Sequence, residues 1–206
     1  MAGKAHAAAG ALLSALVLAP GDARAQQAAL TMAVGAPVTS LDPHYHQLSP
    51  NNAAASMIFD RLVNTDHQSR MIPGLATEWR AVEPTVWEFK LRPGVKFHDG
   101  SDFNADAVVW NVEKVLKQDA PHFDASQVGV TASRMPTLRS ARKIDDMTVE
   151  LTTSAPESLL PINLTNLFMA SPAHWQKLYD AASATDPKEK AKQAWDAFAR
   201  NASGTG

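Results

Sequence analysis

The pattern of apolar and polar positions changes period several times along the chain, and each change predicts an element. At Val86-Trp87-Glu88-Phe89-Lys90-Leu91-Arg92 apolar and charged residues alternate. Trp87, Phe89 and Leu91 then share one face, so the run predicts a half-buried strand. Pro93-Gly94 reads as a turn. Val95-Lys96-Phe97 reads as a second short strand closed by His98-Asp99-Gly100, and the pair predicts a hairpin. Val108, Val109, Val112, Val115 and Leu116 then recur at helical spacing behind Asn104, a good N-cap, with Asp106 in the first turn. The spacing predicts a helix over residues 105–117. Residues 142–144 and 147–152 flank Asp145-Asp146 as another hairpin.

Shorter signals fill the rest. Residues 30–36 (LTMAVGA) are apolar and end at Gly35-Ala36-Pro37, which predicts a buried strand. Leu41-Asp42-Pro43 marks a turn, and residues 44–50 a loop. Residues 53–62 place Met57, Ile58 and Leu62 on one face of a short helix. Residues 157–164 predict a short helix and 167–170 a short strand. Residues 172–179 and 187–200 each start with Pro near the first helical position and predict helices. Strands and helices mix without strict βαβ alternation, which predicts a mixed α+β insert within an α/β frame.

The first 25 residues carry a different signal. Lys4 precedes a 13-residue apolar run, residues 7–19. Pro20 and Gly21 break it, and Ala23-Arg24-Ala25 has the form of a cleavage site. That order predicts a cleavable secretory signal with Gln26 as the first mature residue, the run being too short to span a bilayer. The 206 residues contain no Cys, which excludes disulfides, thiolate metal sites, a Cys nucleophile and a lipoprotein anchor on Cys. An exported chain without Cys predicts a periplasmic location. Lys and Arg total 19 against 21 Asp and Glu, so a basic nucleic-acid footprint is absent.

The run LATEWRAVEPTVWEFKLRPGVKFHDGSDFNADAVVWNVEKVLK, residues 75–117, resembles the signature segment of the family 5 extracellular solute-binding proteins. These are the dipeptide, oligopeptide and nickel binding components of ABC importers. Leu41-Asp42-Pro43 is similar to the family's L-D-P after its first strand, and Gly204-Thr205-Gly206 to its G-T-G before an aromatic strand. The resemblance implies a periplasmic-binding-protein type II-like α/β fold, present in part. Residues 26–58 would be the first part of domain I, 59–171 the inserted α+β domain II, and 172–206 the return into domain I. The C-terminal lobe, which in the family carries the acidic residue and arginine that anchor peptide termini, is expected to be absent. The implied activity is binding rather than catalysis, with no cofactor. A peptide or similar small polar solute is captured and passed to the membrane permease, which works with cytoplasmic ATPases; the binding protein is expected to be a monomer.

By position in the family, residues shortly after the Asp-Pro contact ligand. That maps to Gln47 and Ser49, with His44, Tyr45, His46 and Leu48 beside them; Tyr45 could stack or hydrogen-bond, and Gln47 could donate and accept. A solvated loop is the plainer reading. His44-x-His46 could instead be a metal pair if extended, which keeps nickel or a metal complex as an alternative cargo. A truncated, exported interaction module is another alternative. His98-Asp99-Gly100 reads as a turn with Gly100 at positive φ, since no G-x-S-x-G nucleophile motif accompanies it. Trp79, Trp87 and Trp110 read as core residues of the insert.

Overall fold

The computed structural model describes Thr31, Ala33, residues 35–45 and residues 48–206. The expected secretory signal lies outside the described residues. Of the buried strand expected over residues 30–36, the described residues Thr31, Ala33, Gly35 and Ala36 are exposed and form no strand. Val34–Gly206 forms one compact unit.

An antiparallel sheet of four strands sits at its centre: β3 (Ala76–Glu83), β4 (Val86–Leu91), β5 (Leu138–Asp145) and β6 (Thr148–Thr153), in the order β3-β4-β6-β5. A two-stranded ribbon, β1 (Val63–Thr65) with β2 (Met71–Pro73), precedes it. The alternation read from β4 holds: Phe89 and Leu91 are buried and Lys90 is exposed. Its partners differ from those predicted. β4 pairs with β3 before it and with β6 from about sixty residues later. Past Pro93-Gly94, Lys96 bridges only to Asp102, so the predicted 86–97 hairpin does not form. The reason is burial. Pairing with β3 and β6 sets Phe89 opposite Trp79 and Val149 on a face covered by a helix, an apolar layer that a two-stranded ribbon cannot supply.

The opposite face of the sheet is charged. Arg80, Glu88, Glu150 and Arg142 lie in one cross-strand row. Glu88 and Glu150 face each other in the middle, each bonded to the arginine on its far side, at 3.1 and 2.8 Å. That satisfies an otherwise repulsive pair on a solvated surface.

Helix α2 (Ala105–Leu116) covers the apolar face. Asn104 caps it as predicted, its side chain accepting from the Ala107 amide at 3.1 Å. Val108, Val112 and Val115 enter the sheet core, while Trp110, Asn111 and Lys114 turn toward a second core. That second core is built on α5 (Pro172–Ala181) and α6 (Pro187–Phe198), with Phe59, Phe168, Trp175, Trp195 and Phe198. Trp110 packs here rather than with Trp79 and Trp87 in the sheet core. Ser171 and Asp186 cap α5 and α6, so both helices start at the expected prolines. The 157–164 helix shortens to α4 (Leu160–Asn163) followed by a 3-10 turn, Leu164–Asn166. A helix without a prior expectation, α3 (Ala125–Ser133), follows α2.

Helix α1 spans Ser49–Ala55, earlier and shorter than the predicted 53–62. Pro50 favours the earlier start. The chain then turns out of the helix, and residues 58–61 spend backbone groups on distant segments. Ile58 carbonyl accepts from the Gly206 amide at 3.0 Å, Asp60 carbonyl from Met169 at 2.9 Å, and Arg61 bridges to Phe168. A Cβ on Gly204 would collide with the Ile58 carbonyl, so residues 204–206 reach this seam only with glycine there.

Candidate functional site

The segment after Leu41 is fastened to the protein at several points before it reaches α1. Asp42 opens a turn: its Oδ1 accepts from the His44 amide at 3.0 Å, and its carbonyl from the Tyr45 amide at 3.2 Å. The same Oδ1 accepts from Lys114 Nζ at 2.6 Å, with both side chains sealed from water. The ammonium also lies 3.2 Å from the centroid of the Trp195 ring, a cation–π contact in a dry setting. Burial pulls the Lys114 pKa down to about 8, against the opposing pull of Asp42.

Further bonds hold the turn from other sides. His44 is fully buried and its Nε2 lies 2.8 Å from the Phe168 carbonyl. A carbonyl only accepts, so Nε2 carries the hydrogen and Nδ1 is the bare nitrogen, buried without a partner. Burial, then the charge of Lys114, pushes the His44 pKa down to about 3. Thr131 of α3 donates its hydroxyl to the His44 carbonyl at 3.0 Å. Upstream, Asn51 of α1 accepts from the Thr39 amide and donates to its hydroxyl, both at 3.0 Å, and Leu41 donates to the Ala199 carbonyl at 3.3 Å. Elements far apart in sequence thus share one task, holding the Asp42–Tyr45 turn.

Of the residues expected to face solute, Tyr45 is half-buried beside this turn and Ser49 is exposed as the first residue of α1. Leu48 is exposed. His46 and Gln47 lie outside the described residues. His44 points inward with its Nε2 occupied, which removes it from the supposed His44-x-His46 metal pair. The residues that sequence reasoning missed are the ones that fasten the loop: Lys114, Asn51 and Thr131. One signal was present for Lys114. It follows Trp110 by four positions on α2, where a polar residue meets an apolar stripe.

The His98-Asp99-Gly100 segment is a turn, with Gly100 at φ 86°. It also joins the segment before α2 to residues 203–206. His98 donates its amide to the Gly204 carbonyl at 2.8 Å and holds the Gly206 carbonyl through Nε2 at 2.7 Å. Asp99 accepts from the hydroxyls of Ser101 and Ser171, at 2.6 and 2.5 Å. These bonds hold the Asp99 pKa below the usual carboxylate range although burial pulls it upward. Ser171 Oγ also accepts from the His174 amide as the cap of α5. Its hydrogen is committed to a carboxylate and its lone pair to a helix, an arrangement that supports structure rather than nucleophilic attack. The histidine beside Trp110 serves packing too. His122 stacks on that ring with centroids 4.4 Å apart, and burial pushes its pKa to about 4.

Residues 70–206 match the family described as bacterial extracellular solute-binding proteins, family 5, middle region. The glutathione-binding protein GsiB of Pectobacterium atrosepticum is 33% identical over 147 residues, which is 69% of this chain and 27% of that protein. The periplasmic oligopeptide-binding protein OppA of Salmonella typhimurium is 29% identical over 59% of this chain and 24% of its own length. The chain therefore spans about a quarter of the length of these relatives. Among solved structures, the DppA periplasmic binding protein of Helicobacter pylori, in complex with the peptide STSA, superposes with TM-score 0.69 at 24% identity. It covers 84% of this chain and 34% of that one. HbpA2 of Haemophilus parasuis gives the same TM-score at 24% identity, over 83% of this chain and 34% of its own. These likenesses carry the fold: part of a periplasmic-binding-protein type II architecture. The chain belongs to the family 5 bacterial extracellular solute-binding proteins.

Proposed function

We propose that this chain is part of the periplasmic substrate-binding component of an ABC importer. It captures peptides or similar small polar solutes and delivers them to the membrane permease. The observation that carries the reading is family membership, and three relatives bear names that state glutathione, oligopeptide or di/tripeptide binding. The fastened turn supports it: a loop pinned by a buried ion pair loses little further entropy on meeting a ligand. In this reading Tyr45, His46, Gln47 and Ser49 form the ligand-facing segment. Residues 1–25 are a cleaved leader, and residues 59–171 are the domain inserted between residues 26–58 and 172–206. The protein acts as a monomer.

The test is calorimetric titration of the purified chain with glutathione, trialanine and tetraalanine, alongside fractionation of the native host. Saturable heat with any of the peptides and recovery of the chain in the periplasmic fraction support the reading. No heat with any of them and a cytoplasmic location overturn it.

A further inference from the structure

A polar groove of about 460 Å³ opens on residues other than those of the loop. Ser56, Asp60, Arg61, Asn64, Thr65 and Thr165 line it. Arg61 is its centre. The guanidinium carbon rests 3.9 Å from the centroid of the Phe168 ring, and one terminal nitrogen donates to the Ser56 hydroxyl at 3.1 Å. A guanidinium has five N–H donors. Nε is buried and has no partner, and Arg61 forms no ion pair among the described residues. Its pKa is held below the usual arginine value, chiefly by burial, with the charge of Asp60 pulling the other way.

This is a cation held over an aromatic ring and short of acceptors, in a groove large enough for a small solute. The Ser56 bond uses one of its terminal N–H donors, and the others can meet a carboxylate. The neighbouring residue supplies the opposite charge: Asp60 lines the same groove and spends one oxygen on the Thr205 hydroxyl, at 3.0 Å. The remaining lining is hydroxyl and amide together with the apolar Phe59 and Ile72.

We propose that this groove binds a zwitterionic solute of amino-acid size, its carboxylate paired with the Arg61 guanidinium and its ammonium with the Asp60 carboxylate. The site is separate from the reading of the Tyr45–Ser49 loop and stands or falls without it.

The experiment is an NMR titration of the arginine Nε–H resonances of the full chain, at constant ionic strength, with glycine, acetate or methylammonium. Glycine is expected to shift the Arg61 resonance saturably, and acetate to do so more weakly. Because Arg61→Met would also lose the stack on Phe168, Arg61→Lys is the first variant. It keeps the charge but not the fork, and glycine affinity, read from shifts of the neighbouring amides, should fall about tenfold or more. Asp60→Asn should abolish the preference for glycine over acetate while leaving acetate binding intact. A non-saturating shift, equal binding of glycine and acetate to the wild type, or unchanged glycine affinity in Arg61→Lys overturns the proposal.

Discussion

Asp42 Oδ1 lies 2.6 Å from Lys114 Nζ across 72 residues of sequence, and neither side chain reaches water. The pair joins the turn that leads into the candidate ligand loop to the central helix α2, and through the Trp195 ring to α6. Removing one partner strands the other charge in a dry site. Lys114→Met and Asp42→Leu are each expected to cost about 3–5 kcal/mol, and the double variant less than the sum of the two. Urea denaturation of the four proteins checks this. Additive losses would mean the two charges do not act on each other.

Acid should destabilise the protein through its buried histidines. The folded state holds His44 with a pKa of about 3 and His122 with one of about 4, in both cases mainly through burial, against 6.5 for an unperturbed imidazole. The unfolded chain therefore binds more protons below pH 6.5. Their contribution is complete above that pH and falls as pH drops toward 3, by on the order of 3 kcal/mol for each histidine at pH about 4. Lys114 acts in another window. With its folded pKa near 8 and its ordinary value at 10.5, its contribution rises with pH between those two values. Urea midpoints measured across pH should show the acid slope, and His44→Gln should flatten it. A midpoint constant from pH 6.5 to about 4 would contradict the buried, neutral assignment.

Gly204→Ala should be far more damaging than Gly129→Ala. The first drives a methyl into the Ile58 backbone carbonyl, whereas the second meets nothing within 4 Å. The clash cannot be relieved by a rotamer change, so about 1–3 kcal/mol or more is expected at Gly204. Gly129 lies inside α3, so alanine there should be neutral or stabilising by up to about 1 kcal/mol. Thermal melts of the two variants separate the cases, and equal melting temperatures would refute the close approach of residues 204–206.

Asn111→Leu tests how the two cores are stitched. The Asn111 amide accepts from the Ala170 amide and donates to the Ala170 and Ala107 carbonyls, all within 2.8–2.9 Å. Leucine leaves the Ala170 backbone groups unsatisfied in the interior, at a cost of about 1–3 kcal/mol for each group stranded. Hydrogen exchange at the Ala170 amide should accelerate more than at Val149 in the sheet core. Equal acceleration would place the loss elsewhere.

The local parts of this fold were readable in the sequence. Asn104, Pro172 and Pro187 start helices through their own backbone chemistry, and the Asp145-Asp146 turn closes β5 on β6 within eight residues of either strand end. The parts missed depend on partners distant in the chain. β4 could not announce that it would pair with β3 and β6 rather than with residues 95–97. Residues 58–61 gave up helix to pair with Phe168, Met169 and Gly206. Lys114 looked like the polar face of an amphipathic helix, because its burial makes sense only once Asp42 and Trp195 are beside it. The ligand-facing assignments at Tyr45, His46, Gln47 and Ser49 came from family position alone.

The most direct measurement is amide chemical-shift mapping of the chain on titration with trialanine. Saturable shifts concentrated at Tyr45 and Ser49 and their immediate neighbours, reduced when Lys114→Met loosens the turn, are the expected result. Saturable shifts that spare this segment, or none at all, would contradict the assignment of the loop as the solute-contacting element.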